Sequence, residues 1–216
     1  MTFPEACAAV CAPGTPFEIS EVEIHGLTTK VFAGTPPNIR HLFALAATRT
    51  DYFVVYEDER WTMPQVLELA GRIGLALRHD LGVKHGDRVA ITMRNFPEWI
   101  ATFVAITSVG AVAVPLNAWW VTDEIVFALD DSGAKVVFAD DERIARIARA
   151  PAGAIDASVV AVRTTGELPD GVIPLDEYER RRRVLEQQEQ GLANQEGELD
   201  GEADRPREWA GVARSL

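Results

Sequence analysis

Polar and apolar residues alternate between residues 17 and 33 on either side of Gly26, and a period of two predicts a two-stranded antiparallel hairpin. After Pro36 and Pro37 the period changes. Ile39, Leu42, Phe43 and Ala46 recur at helical spacing, predicting a helix over residues 38–48 that opens at Asn38 or Pro37. Tyr52 to Tyr56 is rich in β-branched and aromatic residues and predicts a strand that turns at 57–59 and resumes at 60–62. Thr62 stands three residues before Gln65, the spacing of a capping box. Val66, Leu69, Ala70, Ile73 and Leu77 then follow on one helical face until Gly82 stops the helix.

From Asp87 onward strand and helix patterns alternate. Strands are expected at 88–93, 111–116, 135–139 and, more weakly, 158–162, with helices at 96–109, 123–131 and from Asp141. Such alternation implies the α/β class, a largely parallel sheet flanked by helices, here with an N-terminal β-hairpin. Asn95 is placed to cap the helix that carries Pro97 in its first turn, with Glu98 three residues after the cap. The run from Ala111 to Pro115 has no polar alternation, so it is expected in the sheet interior with both faces covered. The pattern continues through a loop at 166–171 to Tyr178. Residues 179–216 contain no Ile, Phe, Met, Tyr or Cys, and a segment that cannot bury a core face is expected to be a short helix followed by a disordered tail. Residues 1–178 are thus read as the folded domain and 179–216 as a polar tail.

Composition adds exclusions. With 47% hydrophobic and 25% charged residues the chain resembles an ordinary globular protein, and no stretch approaches the roughly 18 apolar residues of a membrane span. The start lacks a basic segment followed by an apolar one, so a cytoplasmic location is expected. The formal net charge is −12; the tail holds nine acidic and seven basic residues, leaving 24 and 14 and a net of −10 in residues 1–178. An acidic surface repels phosphate backbones, which excludes nucleic acid as a partner. The basic run Arg180 to Arg183 is followed by Glu186 and Glu189 and reads as a solvated helix face. Cys7 and Cys11, the two cysteines, share a helix face at i, i+4; with no further ligands at zinc spacing they are expected to be free, partly buried thiols.

Candidate chemistry fails on context. Ser132 and Lys135 have the Ser-x-x-Lys spacing of an acyl-enzyme motif, but Gly133 interrupts the helix turn that the pair would have to share. Gly71 and Gly74 fall inside a helix and not in a turn after a strand, so they are packing glycines and not a dinucleotide fingerprint. His25, His41, His79 and His85 show no ligand spacing, and His79 and His85 flank a helix end where a histidine partners the dipole. No catalytic, cofactor-binding or metal-ligating residue is assigned.

An ordered set of segments carries more information: Arg60-Trp-Thr-Met-Pro-Gln-Val, Gly82-Val-Lys-His-Gly-Asp-Arg-Val-Ala-Ile, Asn95-Phe-Pro-Glu-Trp, Gly110-Ala-Val-Ala-Val-Pro-Leu-Asn and Asp131-Ser-Gly-Ala-Lys-Val-Val-Phe-Ala-Asp. Together they resemble the N-terminal region of acyl-CoA synthetases, in the adenylate-forming (AMP-binding) family. Ala12-Pro-Gly-Thr-Pro-Phe-Glu-Ile resembles the start of its fatty-acid branch, so the resemblance spans residues 10 to 178.

The resemblance implies a partial N-terminal domain of a fatty-acid–CoA ligase. Intact members join ATP and a carboxylate into an acyl-adenylate, and CoA then displaces AMP; they use Mg, and fatty acid and CoA are their partners. It also implies a Ser/Thr/Gly-rich phosphate loop ending in Pro-Lys-Gly, a ribose-binding aspartate and a lysine in a small C-terminal domain. None of these motifs occurs in the sequence, so the chain is expected to be truncated or frameshifted before the loop, inactive alone and without a cofactor of its own. Trp119 and Trp120 would line an acyl tunnel in an intact enzyme or simply pack on the sheet. The alternative function is an interaction module, pairing as a homodimer or with another synthetase chain, and an incomplete sheet would leave an open edge that favours such pairing. A third reading is an unrelated doubly wound domain that binds a nucleotide at its strand ends.

Overall fold

The computed structural model describes residues 1–178 and Arg180. These fall into two compact units, Met1–Arg49 and a second beginning at Thr50. The tail expected after Tyr178 lies, apart from Arg180, outside the described residues.

The first unit opens with α1 (Phe3–Val10), whose capping Thr2 donates its backbone N–H to Glu5 Oε2 at 2.7 Å. Cys11 caps its carboxyl end and is half-buried, but Cys7 is exposed. The expectation of two partly buried thiols is thus corrected for Cys7, because α1 buries none of its residues. The hairpin has the expected form: β1 (Ile19–Ile24) pairs antiparallel with β2 (Leu27–Phe32), and Ile24 faces Leu27 across His25 and Gly26. Those two residues have φ of 52° and 78°, the double left-handed turn that matches strand twist. The next helix, α2 (Ile39–Leu45), is shorter than 38–48, and Asn38 caps it by accepting the His41 N–H. No side chain of this unit is buried.

The second unit begins with the hairpin β3 (Tyr52–Tyr56) and β4 (Glu59–Thr62). Thr62 then opens α3 (Met63–His79), with its N–H on Gln65 Oε1 at 2.8 Å as the capping-box spacing requires. The helix ends three residues before Gly82. Leu81 and Val83 bond back to the Ala76 and Leu77 carbonyls while Gly82 turns left-handed at φ 64°.

Then follow β5 (Arg88–Ile91), α4 (Pro97–Ser108), β6 (Val112–Pro115), α5 (Thr122–Ser132), β7 (Val136–Ala139), α6 (Asp141–Ile147), β8 (Ser158–Ala161) and β9 (Ile173–Pro174). All five strands of this sheet are parallel, in the order β6-β5-β7-β8-β9. Side-chain alternation divides them between two faces. Ala90 and Val137 join Ile125 and Leu129 of α5 in one cluster. Val89, Ile91, Val136 and Phe138 point the other way, and α4 packs on β5 and on α3. Gly74 permits the α3–α4 approach, since a Cβ there would stand 3.2 Å from Val109 Cγ1, whereas Gly71 has open space beside it.

Two further expectations are corrected. The cap of α4 is Phe96, not Asn95; Pro97 forces the residue before it into the extended region, and Phe96 sits there at φ −79° and ψ 161°. The apolar strand β6 is at the sheet edge, with Val112 48% exposed. The strand with both faces covered and both edges paired is β7, where all four residues are buried. The apolar run fails on both counts: β6 has a single neighbouring strand, and none of its four residues is buried. The open edge of β6 is also blunted. Val112 and Leu116 donate to Asp87 and Ile91, so Ala113 and Pro115 turn outward, and proline has no N–H to offer another strand.

Candidate functional site

The chain leaves β5 to one side for β6 and returns across it to β7. At such a reversal the connecting loops part, and the crevice at the carboxyl ends of the two strands is where doubly wound sheets bind ligands. Here that place is formed by residues 92–95 after β5, 116–120 after β6 and Asp140 after β7.

Asp140 is 4% exposed. One carboxylate oxygen accepts the Arg94 N–H at 3.0 Å and the other accepts the Arg143 N–H at 3.2 Å, tying the ends of β5 and β7 together. Arg143, 1% exposed, pairs with Asp140 at 3.2 Å and Glu142 at 2.9 Å and donates from Nε to the Ala118 carbonyl at 2.7 Å. Arg146 adds bonds to the carbonyls of Ala118 at 3.2 Å and Trp120 at 2.6 Å, and pairs with Glu142. A buried guanidinium requires this saturation, because an unpaired charge there is costly. The 117–120 loop is therefore fixed through its backbone carbonyls, which sequence spacing cannot reveal.

The loop presents Trp119 outward, 66% exposed, with the Arg94 guanidinium 5.0 Å from its ring centre, within cation–π range. Trp120 turns inward against the α5 cluster. Trp120 thus packs as one of the expected roles requires, while Trp119 does not pack and lies open to solvent. A cleft of about 670 Å³ opens here, lined among others by Arg94, Asn95, Phe96, Asn117 and Trp119. Just below it Thr92 is fully buried and its hydroxyl has no hydrogen-bond partner.

A second cleft of about 590 Å³ lies along the carboxyl end of β8, lined by Trp61, Gln65, Glu68, Glu98, Arg163 and neighbours. Arg163 pairs with Glu98 and Glu59, each at 2.7 Å. Burial works against its charge, but the hydrogen bonds to Glu98 and Glu59 outweigh this and raise its pKa above the usual arginine value.

The sequence candidates set aside lie elsewhere. Ser132 Oγ donates to the Ala128 carbonyl within α5 at 2.6 Å, while Lys135 Nζ pairs with Asp87 at 2.8 Å at the amino ends of β7 and β5; serine and lysine have separate partners. The bond from Lys135, then the Lys84 N–H, holds the Asp87 carboxyl below its ordinary pKa. His79 lies in the last turn of α3, and His85 stands beside Gly110, where a Cβ would come within 2.6 Å of its ring. Arg94, Asp140, Arg143 and Arg163 were not legible as site residues.

The residues at hand do not fit Mg-ATP. A triphosphate needs a loop of backbone donors and a cation, and no glycine-rich phosphate loop stands in the sequence. Among the described residues no group of three His, Cys, Asp or Glu could hold a metal ion, and no helix is long and apolar enough to cross a membrane.

Comparison with known proteins places this arrangement. The long-chain-fatty-acid–CoA ligase FadD13 of Mycobacterium tuberculosis is 44% identical over 80 residues, 37% of this chain and 16% of that protein. The long-chain-fatty-acid–CoA ligase FadD15 of Mycobacterium bovis is 32% identical over 130 residues, 58% of this chain and 22% of that protein. The chain thus spans about a fifth or less of these relatives. The crystal structure of the N-terminal domain of FACL13 from M. tuberculosis superposes with a TM-score of 0.55 at 31% identity, covering 68% of this chain and 36% of that one. The family model of the AMP-binding enzymes matches residues 42–206, and the chain belongs to that family.

Proposed function

We propose that this chain supplies the N-terminal part of a fatty-acid–CoA ligase and does not form acyl-adenylate by itself. Residues 1–178 are the domain in this reading, residues 179–216 a polar tail, and the setting is cytoplasmic. The observation that carries it is the likeness to two long-chain-fatty-acid–CoA ligases, joined to a sequence without a Pro-Lys-Gly phosphate loop. In an intact enzyme of this kind, ATP activates the fatty acid and CoA accepts the acyl group. The part played by this chain is a rigid wall: Asp140, Arg143 and Arg146 fix the loop that offers Trp119 and Arg94 to the crevice. Such a wall can orient a ligand, but it lacks the donors that stabilise charge on transferring phosphates. Purified chain incubated with ATP, Mg²⁺, labelled pyrophosphate and palmitate is expected to give no label in ATP above the blank. Exchange above the blank would show that these 216 residues are sufficient for adenylation.

A second reading is an interaction module, one half of a split synthetase or one protomer of a homodimer. It is favoured by the first unit, which buries no side chain and exposes Phe17, Leu27 and Leu42 among others, apolar surface of the kind that marks interaction sites when contiguous. Co-purification with a chain that carries the phosphate loop distinguishes this reading from the first.

A further inference from the structure

Arg163 lies two residues beyond β8, at a φ of 52°, a left-handed conformation that side chains other than glycine seldom adopt and that surrounding contacts must hold in place. Those contacts come from three elements. Its guanidinium bonds Glu59 of β4 and Glu98 of α4, each at 2.7 Å, and lies 5.4 Å from the Tyr56 ring of β3 and 5.3 Å from the Phe96 ring at the α4 cap. The two rings meet edge to face at 5.7 Å.

The β3–β4 hairpin also touches α3 and α4, with Tyr56, Trp61 and Thr62 half-buried, but that packing is thin. Val54 is its one buried residue, while Tyr52, Phe53 and Val55 are exposed. The clamp also stands between the two clefts: Arg163 and Glu98 line the smaller, Tyr56 and Phe96 the larger. We propose that the β3–β4 hairpin is a flap over the carboxyl ends of the sheet, latched by Arg163, and that its opening joins the two clefts into one trough. Sub-global opening of a thinly packed element costs less than global unfolding, and removal of the latch shifts the flap toward its open position. The proposal is independent of whether the chain catalyses anything.

Hydrogen–deuterium exchange on the full 216-residue chain reads the flap directly, for wild type, Arg163→Ala, Arg163→Gly and Glu59→Gln. Amides of residues 52–62 are expected to exchange about tenfold faster in both Arg163 variants and about threefold faster in Glu59→Gln, with β5 and β7 little changed. Glycine at 163 relieves the left-handed backbone, so Arg163→Gly is expected to melt above Arg163→Ala while its hairpin exchanges equally fast. That split separates latch from strain. Wild-type exchange rates in the hairpin of Glu59→Gln and the Arg163 variants would overturn the proposal, as would an equal acceleration across hairpin, β5 and β7. If Arg163→Ala does not fold, Glu59→Gln decides alone, because the Glu59 side chain is 36% exposed and the uncharged amide weakens one arm of the latch while keeping its shape.

Discussion

Arg143→Ala is expected to destabilise the second unit by about 3–5 kcal/mol, the usual cost of removing one partner from a buried ion pair. Arg143 is 1% exposed and Asp140 is 4% exposed, so the truncation leaves a buried carboxylate facing a void. It also strips the Ala118 carbonyl of its Nε and Nη2 donors. With a urea slope of about 2 kcal/mol per M, the midpoint falls by roughly 1.5–2.5 M. The double variant Asp140→Asn, Arg143→Met is expected to lose less than the sum of its parts, because the groups act as one network. Trp119 fluorescence gives a second readout, since it loses the Arg143 guanidinium 6.0 Å from its ring. A cost under about 1 kcal/mol, typical of exposed pairs, would mean that Arg143 faces water in solution.

Phe138→Ala is the other large effect, about 3–5 kcal/mol. Phe138 is 1% exposed, on the central strand β7, and pairs in register with Ile91 of β5 and Val160 of β8. A cavity there has walls of strand backbone on both sides, which relax less than a helix face would, so the upper half of the range is expected. Its carbonyl accepts the Thr92 N–H at 2.9 Å, at the root of the crevice. The substitution therefore loosens the positions of Arg94 and Asp140 as well as the core. Urea unfolding followed by circular dichroism measures the cost, and a loss under about 1.5 kcal/mol, the ceiling for well-tolerated core swaps, would place Phe138 outside the core.

What the sequence made legible was governed by local rules. The capping box at Thr62 and Gln65, the period-two alternation on either side of Gly26 and the alternation of strands and helices after Asp87 each depend on residues within a few positions, and each gave its element. Asn95 misled because two local rules competed, and the proline constraint at Pro97 prevailed over cap preference. The run Ala111 to Pro115 misled because a short apolar run does not say which neighbours cover it: β6 lies at the sheet edge with none of its residues buried, whereas Val136 to Ala139 is equally apolar and wholly buried. The candidate site was largely hidden. Arg143 looks like any helix-surface arginine until Ala118, 25 residues earlier, is brought against it. Arg163 reaches partners 65 and 104 residues away, and nothing in its own neighbourhood announces them. Family likeness reached further than residue chemistry did, because it rests on segments in order and not on any one contact.

The most direct test of the central claim is a chimera. The matching N-terminal region of FadD13 from M. tuberculosis is replaced by that of this chain, and fatty acyl-CoA formation from palmitate, ATP and CoA is measured. If the chain supplies the N-terminal part of a fatty-acid–CoA ligase, the folded chimera forms palmitoyl-CoA, although the chain alone forms none. A chimera that folds with native-like circular dichroism yet yields no acyl-CoA would contradict the account.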